Sequence, residues 1–203
     1  MIGPVYVITD PGAALPVVDQ ARAAAQGGAW AVQLRDKNAS DAELVTLARV
    51  LLAALRPLGV KLIVNDRLEV ALEAGADGLH MGQGDGDPAQ ARARLGPGKL
   101  LGLSIETLDQ CARIPPGVDH IGAGPVRATA SKPDHAAPIG LSGLAAIAAR
   151  ASVPALAIGG IGPGDAAAVK SAGAAGMAVV SAVTRAPDPE AATRHLLSEW
   201  RTA

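Results

Sequence analysis

Gln33, Arg35 and Lys37 stand at alternate positions of one short segment, Gln33-Leu34-Arg35-Asp36-Lys37. In an extended strand alternate side chains share a face. An amide and two cations therefore project together, while Val32 and Leu34 turn the other way. Such a face is either an anion clamp or a strand end whose cations are simply solvated. Further on, Asn65-Asp66-Arg67 and His80-Met81-Gly82-Gln83-Gly84-Asp85 each follow an apolar run. Asp66 and Asp85, if they sit on adjacent strand ends, could hold a hard cation between them. Mg2+ commonly takes one or two protein carboxylates and completes its shell with substrate phosphate and water. Asn65 taken alone would serve equally well as a helix cap. A metal beside an anion clamp suggests pyrophosphate.

A second group lies later in the chain. Gly122-Ala123-Gly124-Pro125 leads into Thr129, Ser131 and Lys132, two hydroxyls and an ammonium in a Gly/Pro-defined loop. The loop is either a ligand loop or a polar surface loop. Ile158-Gly159-Gly160-Ile161 and Val179-Val180-Ser181-Ala182 place glycines after one apolar run and a small polar residue after the next. Both allow backbone N–H groups to approach a phosphate. The residues thus propose two anion sites, one with a metal and one without.

These residues need a scaffold that gathers loop ends. Short β-branched runs recur along the chain: Val5–Thr9, Trp30–Arg35, Lys61–Val64, Gly78–Met81, Leu100–Ser104, His120–Ala123, Ala155–Ile158 and Met177–Val180. Ala/Leu-rich segments of helical period separate most of them. From Ala42 to Leu55, Leu44, Leu47, Leu51 and Leu55 fall on one face, and Ser40 with Glu43 forms a capping-box pattern. Asp87-Pro88 and Asp188-Pro189 read as helix starts. Strands alternating with helices imply parallel pairing, and eight such units predict a (β/α)8 barrel in one domain over residues 1–203. In that fold the loops after the strands build the active site. An open doubly wound sheet is the rival, but no G-x-G-x-x-G turn follows the first strand. Glu73-Ala74-Gly75-Ala76-Asp77-Gly78 and Ser171-Ala172-Gly173-Ala174-Ala175-Gly176 echo each other as helix end, glycine turn and strand start.

Composition narrows the class. The chain has 203 residues and a net charge of −1, and 49% of it is hydrophobic. It holds two Trp, one Tyr and no Phe, so Ala, Val, Leu and Ile are expected to fill a layered barrel interior. A nucleic-acid partner would call for a basic patch and stacking aromatics, and neither is evident. Cys111 is the sole cysteine, which excludes an intrachain disulfide. The opening residues are not expected to act as a signal peptide, and no apolar stretch reaches the ~18 residues of a membrane span. A cytoplasmic protein with small-molecule partners is expected; oligomeric state is not readable.

In this order and spacing, Val32-Gln33-Leu34-Arg35-Asp36-Lys37, Asn65-Asp66-Arg67, Ala76 to Asp85, Gly122-Ala123-Gly124-Pro125-Val126 and Ala157-Ile158-Gly159-Gly160-Ile161 resemble the thiamine-phosphate synthase family. The resemblance runs from Tyr6 to Ala182. It implies an Mg2+-dependent transferase in which a hydroxymethylpyrimidine diphosphate loses pyrophosphate and its methylene bonds to the nitrogen of a thiazole phosphate. It implies Mg2+ on Asp66 and Asp85, pyrophosphate on Arg35, Lys37, Asn65 and Lys132, and the pyrimidine against Gln33 and Ser104. It assigns the thiazole phosphate to Thr129, Ala130, Ser131, Gly160, Val180 and Ser181. Arg35, Lys37, Lys132 and Ser104 would then serve the chemical step.

The chain departs from the pattern in places. Arg127-Ala128 stands where the family usually has Phe-Pro, and Arg127 either contacts phosphate or reaches solvent. Ser131 replaces a Thr. Glu106 stands where a His is common; a sister family of thiazole tautomerases uses that His and tends to lose the metal and pyrophosphate residues. That tautomerase is the alternative enzyme, and a silent phosphometabolite-binding barrel the alternative of another class. His80 is expected to be a hydrogen-bonded core group, and His120, His135 and His195 to be too scattered for a metal. Asp10 is expected as a turn or supporting residue, Cys111 as an apolar filler, and Trp200 as a dock for the last helix. A closing loop is expected around residues 127–137.

Overall fold

A computed structural model describes residues 2–132 and 136–203. His135 and the middle of the 127–137 loop lie outside the described residues. The eight expected runs are eight parallel strands closed into a barrel in sequence order: β1 Val5–Ile8, β2 Ala31–Leu34, β3 Lys61–Asn65, β4 Gly78–Met81, β5 Leu100–Ile105, β6 His120–Ala123, β7 Ala155–Ile158 and β8 Gly176–Val179. Boundaries differ from the sequence reading by a residue or so, as hydrogen-bonded pairing ends where the polar loops begin.

The helices are α1 Val17–Gln26, α2 Asp41–Leu55, α3 Leu68–Ala74, α4 Pro88–Leu95, α5 Leu108–Cys111, α6 Gly140–Arg150, α7 Ala166–Ser171, α8 Ser181–Thr184 and α9 Pro189–Thr202. The caps form as the sequence implies. Ser40 Oγ accepts from Glu43 N while the Glu43 carboxylate takes Ser40 N at 2.8 Å. Asp87 and Asp188 accept from Ala89 N and Ala191 N. Helix α8 is a short extra turn after β8, and α9 closes the outer ring against α1 and α7. Trp200 packs on the core through α9, and Cys111 is buried.

The two echoed fragments share a physical cause. Gly75 and Gly173 take φ of 71° and 85° to end their helices. Gly78 and Gly176 open β4 and β8, where a Cβ would strike the carbonyl oxygens of Leu100 and Pro4.

The interior differs from the aliphatic filling expected. Small aliphatics form the shell between sheet and helices, including Leu34, Leu44, Ala48, Leu51, Leu55 and Leu62. Inside the barrel, Ile8, Ala31, Ile63, Leu156 and Ala178 share the space with Tyr6. Tyr6, Trp30 and His120 meet edge to face, with ring centroids 5.7–6.0 Å apart. Glycines make room for these rings: a Cβ on Gly102 would run into both His80 and His120. The few large rings therefore plug the barrel centre, where one ring replaces several methyl groups.

Candidate active site

The strand ends open onto one cavity of about 460 Å3. Gln33, Arg35, Lys37, Asn65, Asp66, Asp85, Ser104, Thr129, Ser131, Lys132, Gly160, Val180 and Ser181 all line it. Of the residues singled out for the site, Ala130 is the exception: its methyl is exposed and lies outside the lining. The peptide that carries Ala130 nonetheless joins Thr129 to Ser131, both in the wall.

Register explains the gathering. Ile8 pairs with Gln33, Asn65 with His80, and Ser104 with Gly122, so these inward positions form the upper layer of the barrel. Gln33 is buried, and its amide donates to Tyr6 Oη at 2.9 Å. Burial pushes the Tyr6 phenol well above its ordinary range, so it stays protonated. Past β2 the chain is pinned by Arg35 N donating to Thr9 Oγ1 at 3.1 Å. Arg35 and Lys37 therefore leave the barrel rim from a fixed point.

Asp66 is the focus of the charged half. It is the one non-glycine described residue with a left-handed backbone, φ 50°. Asp can adopt this region, though at a cost. Its N–H donates to the His80 carbonyl at 2.9 Å. Its carboxylate accepts from Asn65 Nδ2 at 2.7 Å and lies 3.7 Å from Lys37 Nζ. Desolvation, and after it the charge of Asp85, raises the Asp66 carboxyl above its usual range, against the pull of Lys37, Arg67 and Arg35. Asp85 is turned by Gly82 N–H, which donates to it at 2.6 Å. A cation held between these carboxylates would offset both the desolvation of Asp66 and the charge of Asp85. The donor set is hard oxygen, which suits Mg2+.

The floor carries two histidines. His80 Nε2 lies 3.0 Å from Ser104 Oγ, the hydrogen-bonded role expected of it. Burial lowers its pKa to about 3, with His120 adding to the shift. Burial likewise lowers His120 to about 4. Both rings are neutral at physiological pH. Sequence reasoning gave His120 no place in the site. The signal was available in its spacing: it pairs with Gly102, two residues before Ser104 on the same inward face.

The opposite half is built from backbone. Gly159 and Gly160 take φ of 93° and 62°. Their loop follows the one after β6 closely, with Val126 N donating to Ile158 O at 2.8 Å and Arg127 N to Gly159 O at 3.0 Å. A Cβ on Gly160 would lie 2.7 Å from Arg127 Cβ and 2.8 Å from the Ala128 carbonyl oxygen. Ser131 N donates to Thr129 Oγ1 at 3.2 Å. Val180 and Ser181 stand at the start of α8. Arg127 neither reaches free into solvent nor lines the cavity; it pairs with Asp165. Asp10, which does line it, pairs with Arg185 at 2.9 Å and takes the Gly12 N–H. Glu106 also lines the cavity.

The fold and mouth together have the form of a barrel enzyme's active site, with a charged half and a glycine half lining one cavity. Residues 5–183 match the family model described as thiamine monophosphate synthase. The chain is 52% identical over 195 residues to a thiamine-phosphate synthase of Solidesulfovibrio magneticus, covering 94% of this chain and 92% of the relative. It is 48% identical over 197 residues to that of a Roseiflexus species, covering 96% and 84%. A solved thiamine phosphate pyrophosphorylase from Pyrococcus furiosus superposes with a TM-score of 0.89 at 35% identity, covering 98% of this chain and 96% of that one. The chain belongs to the thiamine monophosphate synthase family. Among the described residues no helix is long and apolar enough to cross a membrane.

Proposed function

We propose that the chain joins a hydroxymethylpyrimidine diphosphate to a thiazole phosphate, giving thiamine phosphate and pyrophosphate. The observation that carries this reading is the single cavity with its unlike halves. One half offers cations and paired carboxylates for a diphosphate, and the other a glycine cradle for a monophosphate.

In this reading the pyrimidine stacks over the barrel floor, with Gln33 and Ser104 at its polar edge. The Gln33 amide is held by Tyr6, so its orientation is set before substrate arrives. Ser104 is steadied in the same way by His80. The methylene C–O bond breaks with its electron pair leaving on pyrophosphate, and the electron-rich pyrimidine stabilises the resulting cation. Arg35, Lys37, Asn65 and Lys132 receive the growing negative charge, an electrostatic stabilisation prepared in advance. The thiazole nitrogen then donates its lone pair to form the C–N bond. Thr129, Ser131, Gly160, Val180 and Ser181 hold its phosphate at the far wall. Asp66 and Asp85 would hold Mg2+, which when bound neutralises diphosphate charge. The route needs no protein nucleophile.

Purified protein is mixed with both substrates and Mg2+, and thiamine phosphate is followed by mass spectrometry. Product that disappears with EDTA and in the Asp66→Asn, Asp85→Asn double variant supports the reading. A folded wild-type protein that makes no product sinks it and turns attention to a tautomerase or a silent binder.

A further inference from the structure

Arg127 stands where the family resemblance leads one to expect an aromatic residue, and its guanidinium has a definite place. Nη1 and Nη2 donate to Asp165 Oδ2 and Oδ1, both at 2.8 Å. Nη1 also donates to the Gly160 carbonyl at 3.1 Å. Asp165 in turn accepts from Gly162 N at 2.9 Å. The Asp165 side chain is only 18% exposed, and Arg127 holds its carboxyl below the usual range. One bidentate pair thus grips both ends of the Gly160–Gly162 turn and joins it to the loop after β6.

We propose that the Arg127–Asp165 clasp positions the glycine turn for the phosphate of the second substrate; this rests on the function proposed above. Gly159 and Gly160 have left-handed backbones and no side chains, so an untethered turn would sample many conformations. The clasp fixes the carbonyl of Gly160 toward the guanidinium. The trans peptide that follows then points the Ile161 N–H the opposite way, at a residue that lines the cavity. The Gly162 N–H is spent on Asp165. Arg127 is outside the cavity lining, so it acts through the turn as a positioning residue. The planar fork matters, because it meets the two carboxylate oxygens through separate nitrogens in a fixed geometry, whereas a lysine offers one point charge on a flexible stem.

Steady-state kinetics on Arg127→Ala, Asp165→Asn, the double variant and Arg127→Lys test this. Each single change to Ala or Asn is expected to raise KM for the thiazole phosphate about tenfold, the loss of one charge-assisted contact set. KM for the pyrimidine diphosphate stays within about twofold, and the double variant is no worse than either single one, as groups acting as a unit require. Arg127→Lys falls between wild type and Arg127→Ala. The clasp is overturned by an unchanged thiazole KM in folded Arg127→Ala. It is equally overturned by both KM values rising together, or by additive losses in the double variant. Should wild type make no thiamine phosphate, the proposed reaction fails by itself. Titration with inorganic phosphate then decides the clasp. Binding about tenfold weaker to Arg127→Ala than to wild type supports it. Equal binding, or none to either protein, overturns it.

Discussion

The two halves of the cavity offer an anion different kinds of group. At the ends of β2, β3 and β4 the groups are charged and polar side chains: Lys37 and Asn65 contact Asp66, and the charge of Asp85 is felt at Asp66. Around Gly159 and Gly160 the groups are peptide units held by backbone hydrogen bonds and an ion pair set behind the wall. Charge placed on side chains can be large where a bond must break, and it responds to salt, metal and pH. A peptide cradle carries only partial charge, but it is rigid and sensitive to volume. A leaving diphosphate suits the first kind of site, and a phosphate that only anchors its substrate suits the second.

The largest effect should come from the charged half. Asp66→Asn with Asp85→Asn is expected to cut kcat by about 10³-fold or more while leaving the thiazole phosphate KM near its wild-type value. Steady-state rates with each substrate varied in turn check this; an equal fall in affinity for both would erase the distinction between the halves.

Gly160→Ala attacks the other half by volume alone. The added Cβ meets Arg127 Cβ at 2.7 Å and the Ala128 carbonyl at 2.8 Å, on a backbone with φ 62°. We expect the thiazole phosphate KM to rise about tenfold or more, a loss of roughly 1.4 kcal/mol, with little change for the diphosphate. Isothermal titration of each substrate alone separates the two.

Acid sharpens the comparison through the floor between the halves. His80 and His120 have folded pKa values near 3 and 4 against 6.5 for the free ring. Between pH 6.5 and about 4 the unfolded chain therefore binds protons that the folded chain refuses. Their contribution makes stability decline as pH falls through that window, by about 1.4 kcal/mol per pH unit for each ring. Denaturant unfolding at pH 7 and pH 5 should show a smaller decline in His120→Gln than in wild type. An identical pH dependence would mean the ring is charged or already solvated in the fold.

The smallest change lies outside both halves. Ser40→Ala removes the α2 cap and should cost about 1 kcal/mol of stability, read by denaturant unfolding, with both KM values unaltered.

Much of this was legible in the sequence because two simple periods carry it. Alternation along β2 put Gln33 and Arg35 on the inner face, and glycine after a helix marked Gly75 and Gly173. Those are local rules, satisfied within a few residues. What escaped depended on contacts between distant segments. Arg127 and Asp165 are separated by a helix and a strand, so nothing in the neighbourhood of either announces the pair. Tyr6 and Trp30 went unplaced because counting rings says nothing of where they gather. His120 looked scattered along the chain, yet it is next to His80 once β4, β5 and β6 lie side by side.

The left-handed backbone of Asp66 has a consequence for anyone engineering this enzyme. Glycine would adopt φ 50° without strain, and would also remove a half-desolvated carboxylate crowded by Asp85. The native residue costs the fold something on the order of 1 kcal/mol that glycine would return. A library screened for heat resistance alone would thus be drawn to glycine at position 66 and, with the metal role proposed for Asp66, would collect robust barrels that have lost turnover. Thermostabilisation of this scaffold should fix that codon first and look for gains elsewhere, with turnover scored alongside melting temperature.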